Sequence, residues 1–164
     1  MTSQAVVDPE AFKAALGTWP AGVTIVTTRD DGLVYGLTVS SFSSLSFDPL
    51  LVMVCINNTN HFVEMAARSG TFAVSILAQG QEALSNYFAS SGRDPQPSYE
   101  SHGTHVMSTG CPLFSGAAAY LDCEIQDMFP GGDHTIVVGR VVGAHADGAA
   151  EPLVYYRRKY RAAL

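Results

Sequence analysis

Between residues 23 and 146 the chain repeatedly alternates short β-branched or apolar runs with turn signals, and this pattern limits its possible folds more than any other feature. Val23-Thr24-Ile25-Val26-Thr27-Thr28 is nearly all β-branched. Such residues fit a pleated, half-buried surface and lose rotamer freedom in a helix. Arg29-Asp30-Asp31-Gly32 follows as a turn signal, so residues 33–40 are expected to return as the second strand of a hairpin. Asp48-Pro49 breaks the chain before the continuous apolar run 50–56, which reads as a strand buried on both faces. Residues 71–77 read as a further strand. Residues 117–127 and 135–144 read as two long strands joined through Pro130-Gly131-Gly132-Asp133, and Asp147-Gly148-Ala149-Ala150 is another turn.

Helical signals are fewer. Asp8-Pro9-Glu10 opens a helix over residues 8–17, with Asp8 as cap, Pro9 in the first turn and Phe12, Ala15 and Leu16 on one face. Residues 60–68 predict a short helix stopped at Gly70, and residues 81–89 place Ala83, Leu84, Tyr87 and Phe88 at helical spacing. From 90 to 104 the chain is rich in Ser, Gly, Pro and charge, hence a surface loop long enough to carry function. Strands and helices do not alternate regularly, which disfavours a doubly wound parallel sheet. The expected fold is mainly β: one β-barrel with peripheral helices, spanning residues 1–164 as a single domain. A GxGxxG loop and a Walker lysine motif are both lacking.

Composition narrows the function. The net charge is −6, with 15 Asp and Glu against 9 Lys and Arg, so a nucleic-acid surface is not expected. Charged residues are 15% and hydrophobic ones 47%, the reverse of a disordered chain. The surplus apolar surface points to a partner subunit or a flat apolar ligand. Cys55, Cys111 and Cys123 show no CxxC and no metal-ligand spacing, and Cys55 and Cys123 read as buried small hydrophobes. Residues 1–7 lack the pattern of a signal peptide, and no apolar run approaches the ~20 residues that span a bilayer, so a soluble, cytoplasmic protein is expected.

Three segments offer chemistry. Six hydroxyls lie between residues 38 and 46: Thr38, Ser40, Ser41, Ser43, Ser44 and Ser46. Hydroxyls compete for backbone hydrogen bonds and favour irregular chain, and with backbone amides they can hold a phosphate or ring carbonyls without a basic patch. The alternative is a plain polar loop. His134 follows Gly-Gly-Asp at a strand start, where it either contacts a ligand or ties down the turn through Asp133. Residues 155–161 gather four of the nine basic residues beside three of the seven tyrosines. They read as a solvated tail, a weak anion site, or a cover for a cofactor phosphate or pocket mouth. His61, His102, His105 and His145 fit no triad or metal pattern and read as surface or loop residues, and GxSxG is absent.

Taken together, Trp19–Thr27, Gly36–Pro49, Phe72–Leu77, Gly132–Val141 and Pro152–Tyr156 resemble the flavin reductase-like family, the FMN-binding split barrels, in order and spacing. They look most like the short reductase components of two-component flavin-dependent monooxygenases. The resemblance implies a six-stranded antiparallel split barrel of Greek-key type, usually a homodimer, with flavin near the subunit interface. By motif, Thr38, Val39, Ser40, Ser41 and Phe42 are expected to line the isoalloxazine ring, and Ser44 and Ser46 to lie near the ribityl chain and phosphate. Asn60 stands where the family tends to have a phosphate-binding hydroxyl, and Arg93 is expected to add a charge-assisted contact. Tyr156 is expected at the cofactor, and His134 to face the flavin and orient the nicotinamide. The implied activity is an NAD(P)H:flavin oxidoreductase that reduces FMN (or FAD) with NADH or NADPH and passes reduced flavin to a separate monooxygenase. The alternatives are a non-catalytic flavin carrier and, with too few basic residues to favour it, an oxidase of the pyridoxamine-phosphate type.

Overall fold

The structure is a computed structural model that describes residues 7–91 and 99–162. Asp8 caps helix α1 (Pro9–Leu16), its carboxylate accepting the Glu10 and Ala11 amides. Strands β1 (Ala21–Gly22), β2 (Thr24–Asp30), β3 (Leu33–Val39), β4 (Phe42–Phe47) and β5 (Leu50–Asn57) follow. Helix α2 (His61–Ser69) ends at Gly70, whose left-handed φ of 70° closes it, and leads into β6 (Thr71–Ile76). After α3 (Glu82–Ala89) come β7 (Thr104–Val106), β8 (Pro112–Phe114), β9 (Ala119–Gly131), β10 (His134–Ala146), β11 (Val154–Tyr156) and β12 (Lys159–Arg161).

Seven strands form the main sheet in the order β3-β2-β6-β9-β10-β5-β4, and every pairing among the described residues is antiparallel. β3 and β4 stand at opposite ends of that order although only Ser40 and Ser41 separate them in the chain. Two residues span at most about 11 Å between the flanking Cα atoms. The sheet must therefore curl until its ends meet, which makes it a split barrel. At the seam the Cys55 amide donates to the Ser41 carbonyl at 3.3 Å. Inside lie Val26, Val39, Val54, Phe62, Phe72 and Val137, all buried. β1, β11 and β12 form a small second sheet across one end.

Two expectations change here. The hydroxyl-rich segment is not irregular: residues 42–47 pair with β5, from Phe42 opposite Val54 to Phe47 opposite Leu50, with a bulge between Ser44 and Ser46. Pairing satisfies the backbone groups for which the serines would otherwise compete. β5 is not buried on both faces either. Val52, Val54 and Ile56 are buried while Met53, Cys55 and Asn57 are half-buried, the alternation of a strand with one face in the core. The loop expected over 90–104 falls partly outside the described residues, and Tyr99 within it is buried against Phe88 and Phe114. Cys55, Cys111 and Cys123 are free thiols, and burial, with smaller contributions from Asp122 and Cys111, pushes Cys123 up to about 12.

Asp122 is a fully buried acid on β9, and its carboxylate accepts the Thr109 amide at 2.8 Å and the Thr109 hydroxyl. Removing one donor leaves part of a buried carboxylate unsatisfied. Thr109→Val is expected to lower stability by about 1.5 kcal/mol. The measurement is a shift of the urea midpoint at constant m-value; an unchanged midpoint would show that water replaces the hydroxyl.

Candidate functional site

The half-buried face of β5 supplies a floor. Cross-strand partners in an antiparallel sheet project to the same side. Ser43 opposite Met53, Ile136 opposite Cys55 and His134 opposite Asn57 therefore share that face. Over it lies a groove of about 590 Å³, lined by Ser40, Ser41, Phe42, Met53 and Cys55 on one side and by Leu16, Trp19, Tyr155, Arg157 and Arg158 on the other. No acidic side chain among the described residues lines it. The second wall is held by long-range bonds, the Arg157 amide donating to the Gly17 carbonyl at 3.1 Å and β1 pairing with β11, Ala21 opposite Tyr155. His134 on β10 is the diagonal neighbour of Cys55 on β5, about 8 Å away.

The β9–β10 hairpin tip is tied to the start of α2. The Asn58 amide donates to the Asp133 carbonyl at 3.0 Å, and the Thr135 hydroxyl donates to Asn58 Oδ1 at 2.7 Å. His134 donates from Nδ1 to Asp133 Oδ1 at 2.7 Å, which leaves Nε2 for a ligand. This hydrogen bond, with the attraction of the ring, holds the Asp133 carboxyl below its ordinary value. The favourable contact is thus present above the ordinary carboxylate range and is lost as pH falls through the lowered value.

Asn60 occupies the N-cap of α2, yet its side chain caps nothing, and Tyr35 donates its hydroxyl to Asn60 Oδ1 at 3.3 Å. Of the first-turn amides, that of Val63 donates to the Asn60 carbonyl at 3.3 Å, and no side-chain cap from Asn60 serves the others. Asn60, Thr59, His61, Ser90 and Ser91 line a depression of about 580 Å³ there.

The residues picked out in the sequence are distributed as follows. Ser40, Ser41 and Phe42 line the groove, and Thr38 and Ser40 line a smaller depression of about 310 Å³ beside it. The Thr38 hydroxyl is already spent on the Ser85 carbonyl at 2.7 Å, and the Ser41 hydroxyl on the Cys55 carbonyl at 2.7 Å. Val39 is a core residue whose carbonyl accepts from the Thr24 hydroxyl at 2.7 Å, and it lines neither depression. Ser44 and Ser46 pair with Val52 and Leu51, at the far end of β5 from Asn57. Five residues of strand, about 17 Å, separate Ser44 from the loop leading to Asn60, so Ser44 and Asn60 of one chain cannot share a phosphate. Ser46 instead accepts the Asp48 amide at 3.2 Å. Tyr156 is replaced at the groove by its neighbour Tyr155, because successive strand residues face opposite ways. Arg93 lies outside the described residues.

Sequence reasoning missed Trp19 and Met53 as groove residues, offered Tyr155, Arg157 and Arg158 only within a segment that could cover a pocket mouth, and took Cys55 for a buried residue. The period-2 parity of β5 and β11 was the available signal for Met53, Cys55 and Tyr155.

Residues 16–164 match a family profile described as a flavin reductase like domain. The chain is 36% identical over 154 residues to the reductase subunit HsaB of a flavin-dependent monooxygenase from Rhodococcus jostii (strain RHA1), covering 94% of this chain and 77% of that one. It is 38% identical over 158 residues to an NADH-dependent flavin reductase from a Rhodococcus species, covering 94% and 86%. A probable flavin reductase from Rhizobium meliloti (strain 1021) is 37% identical over 90% of this chain, which spans only 47% of that protein's length. Among solved structures, BorF, the flavin reductase component of a bacterial two-component tryptophan halogenase, superposes with a TM-score of 0.90 at 30% identity, covering 94% of this chain and 98% of that one. The NADH:FAD oxidoreductase SgcE6 of Streptomyces globisporus C-1027, in complex with NAD and FAD fragments, superposes with a TM-score of 0.87 at 33% identity, covering 96% of each.

Proposed function

The chain belongs to the flavin reductase-like family, and we propose that it is an NADH-dependent flavin reductase whose reduced flavin serves a separate monooxygenase. The groove beside Ser40–Phe42 carries this reading. Its apolar walls suit a flat ring, its serines and backbone suit the polar ring edge, and the absence of acids suits a phosphate-bearing ligand. Residues and ligand therefore fit.

Bound flavin supplies a hydride acceptor, with a nicotinamide as donor. The chain's own residues bind and orient. Trp19, Tyr155 and Met53 wall the ring and exclude water, while Ser40, Ser41 and Phe42 present groups to its polar edge. Asn60 and the uncapped start of α2 take the flavin phosphate, with Arg93 as a further candidate for that charge. His134, steadied through Nδ1 by Asp133, presents Nε2 to the incoming nicotinamide and positions it. No nucleophile is required of the chain.

The protein acts as a homodimer in this reading. Phe12, Leu16 and Trp19 around α1 and Leu45, Phe47 and Leu50 around β4 are exposed, Phe47 at 87%, and such apolar surface suits a subunit contact. No helix among the described residues is long and apolar enough to cross a membrane.

The purified protein mixed with NADH and FMN, or with NADH and FAD, is expected to consume NADH, seen as loss of absorbance at the nicotinamide band. Absence of oxidation with either flavin and either nicotinamide would overturn the activity.

A further inference from the structure

The turn joining β11 and β12 is Arg157-Arg158, and both residues adopt left-handed backbone conformations, with φ of 49° and 61°. A non-glycine residue sits there at a cost of about 1 kcal/mol, and such hairpin turns ordinarily take Asn or Gly. Neither guanidinium is paired with an acid among the described residues. Arg157 lies over the Tyr156 ring at 5.3 Å, and Arg158 makes no ion pair or side-chain hydrogen bond with any described residue. Arg158 also borders three depressions: the 590 Å³ groove, the 310 Å³ depression with Thr38, Ser85 and Asn86, and one of about 450 Å³ with Lys13 and Thr18. Among the described residues Glu10 is the single acid lining any of them, and Lys13 already holds it at 2.8 Å. In a chain of net charge −6, two uncompensated arginines fixed on a strained turn make a local anion site.

We propose that Arg158, assisted by Arg157, binds the diphosphate bridge of a dinucleotide whose ring occupies the adjoining groove. A guanidinium matches paired phosphate oxygens with its fork of N–H donors, and the turn places it at the groove mouth without a competing carboxylate. The inference rests on the flavin reductase reading, which puts a ring in that groove. Two ligands of such an enzyme carry a diphosphate, FAD and the nicotinamide dinucleotide, whereas FMN carries only a monophosphate.

The test uses ADP as probe, measured by calorimetry on the flavin-free protein, so its readout does not depend on turnover. Arg158→Asn removes the charge while keeping a residue that tolerates the left-handed turn. It is expected to weaken ADP binding about tenfold and to flatten its salt dependence, with Arg158→Lys recovering part of the loss. Arg158→Gly provides the same comparison if the asparagine variant changes the unfolding midpoint. Titrations of FMN, FAD and NADH then identify the source. Weakened FAD with unchanged FMN assigns the turn to the flavin, and weakened NADH with both flavins unchanged assigns it to the nicotinamide. Equal ADP affinity in wild type and the charge-removed variants, or no ADP binding to the wild type, would overturn the proposal. Failure of the wild type to oxidise NADH would overturn the activity and leave the ADP result standing.

Discussion

Replacing Gly139 by alanine is expected to destabilise the fold by about 3 kcal/mol, the upper range for overpacking a closed core. Gly139 lies mid-strand on β10, and a Cβ there would overlap the Phe72 ring and stand 3.0 Å from Cys123 Cβ. A ring can swing aside only where space exists. Phe72 is fully buried among Val26, Val54, Phe62 and Val137, so the ring must displace its neighbours or the strand must shift. β10 already carries a register irregularity between Val138 and Gly139, so a strand shift would act on a pairing that is locally uneven. Because β10 also presents His134, the damage would extend to the site. Chemical denaturation reads the effect directly. A midpoint within the error of the wild type would mean that the Phe72 packing is much looser than described.

The second large effect concerns His134→Ala. The variant is expected to raise KM for NADH about tenfold while changing flavin affinity less than twofold. The ring donates to Asp133 from Nδ1 and shares the sheet face of Cys55 and Met53, so its free Nε2 points to a ligand on that face. A positioning role predicts a change in KM with a smaller change in kcat, and partial recovery in His134→Gln, whose amide retains a donor. Loss confined to flavin affinity would refute the assignment. A residue that merely tied down the turn would give a lower unfolding midpoint with both affinities unchanged.

Much of this arrangement was legible in the sequence, and the failures share a cause. Strand existence followed from local signals: the β-branched run 23–28, the turn at Asp31-Gly32 and the break at Asp48-Pro49. The hydroxyls of 40–46 misled because hydroxyl content reports local competition for backbone bonds, whereas pairing to β5 is decided by a strand later in the chain. The apolar run 50–56 could not reveal that one of its faces looks onto a groove, since Met53 and Cys55 are apolar enough for either setting. Tyr156 and Tyr155 differ by one residue, and in a strand one residue is a change of side. Trp19 and Arg158 meet at the groove because residues 17–23 and 153–157 are bonded across more than a hundred residues of chain, through Gly17 with Arg157 and the β1–β11 pairing.

The alternation along β5 has an evolutionary consequence. Val52, Val54 and Ile56 answer to the interior, and Met53 and Cys55 to whatever the groove holds, so selection for folding and selection for ligand act on alternate codons of one short stretch. Drift toward a new ligand can proceed at the odd positions while the even ones stay fixed. An insertion or deletion of one residue would exchange the two sets at once. A family built on this strand can diversify by substitution far more readily than by changes of length.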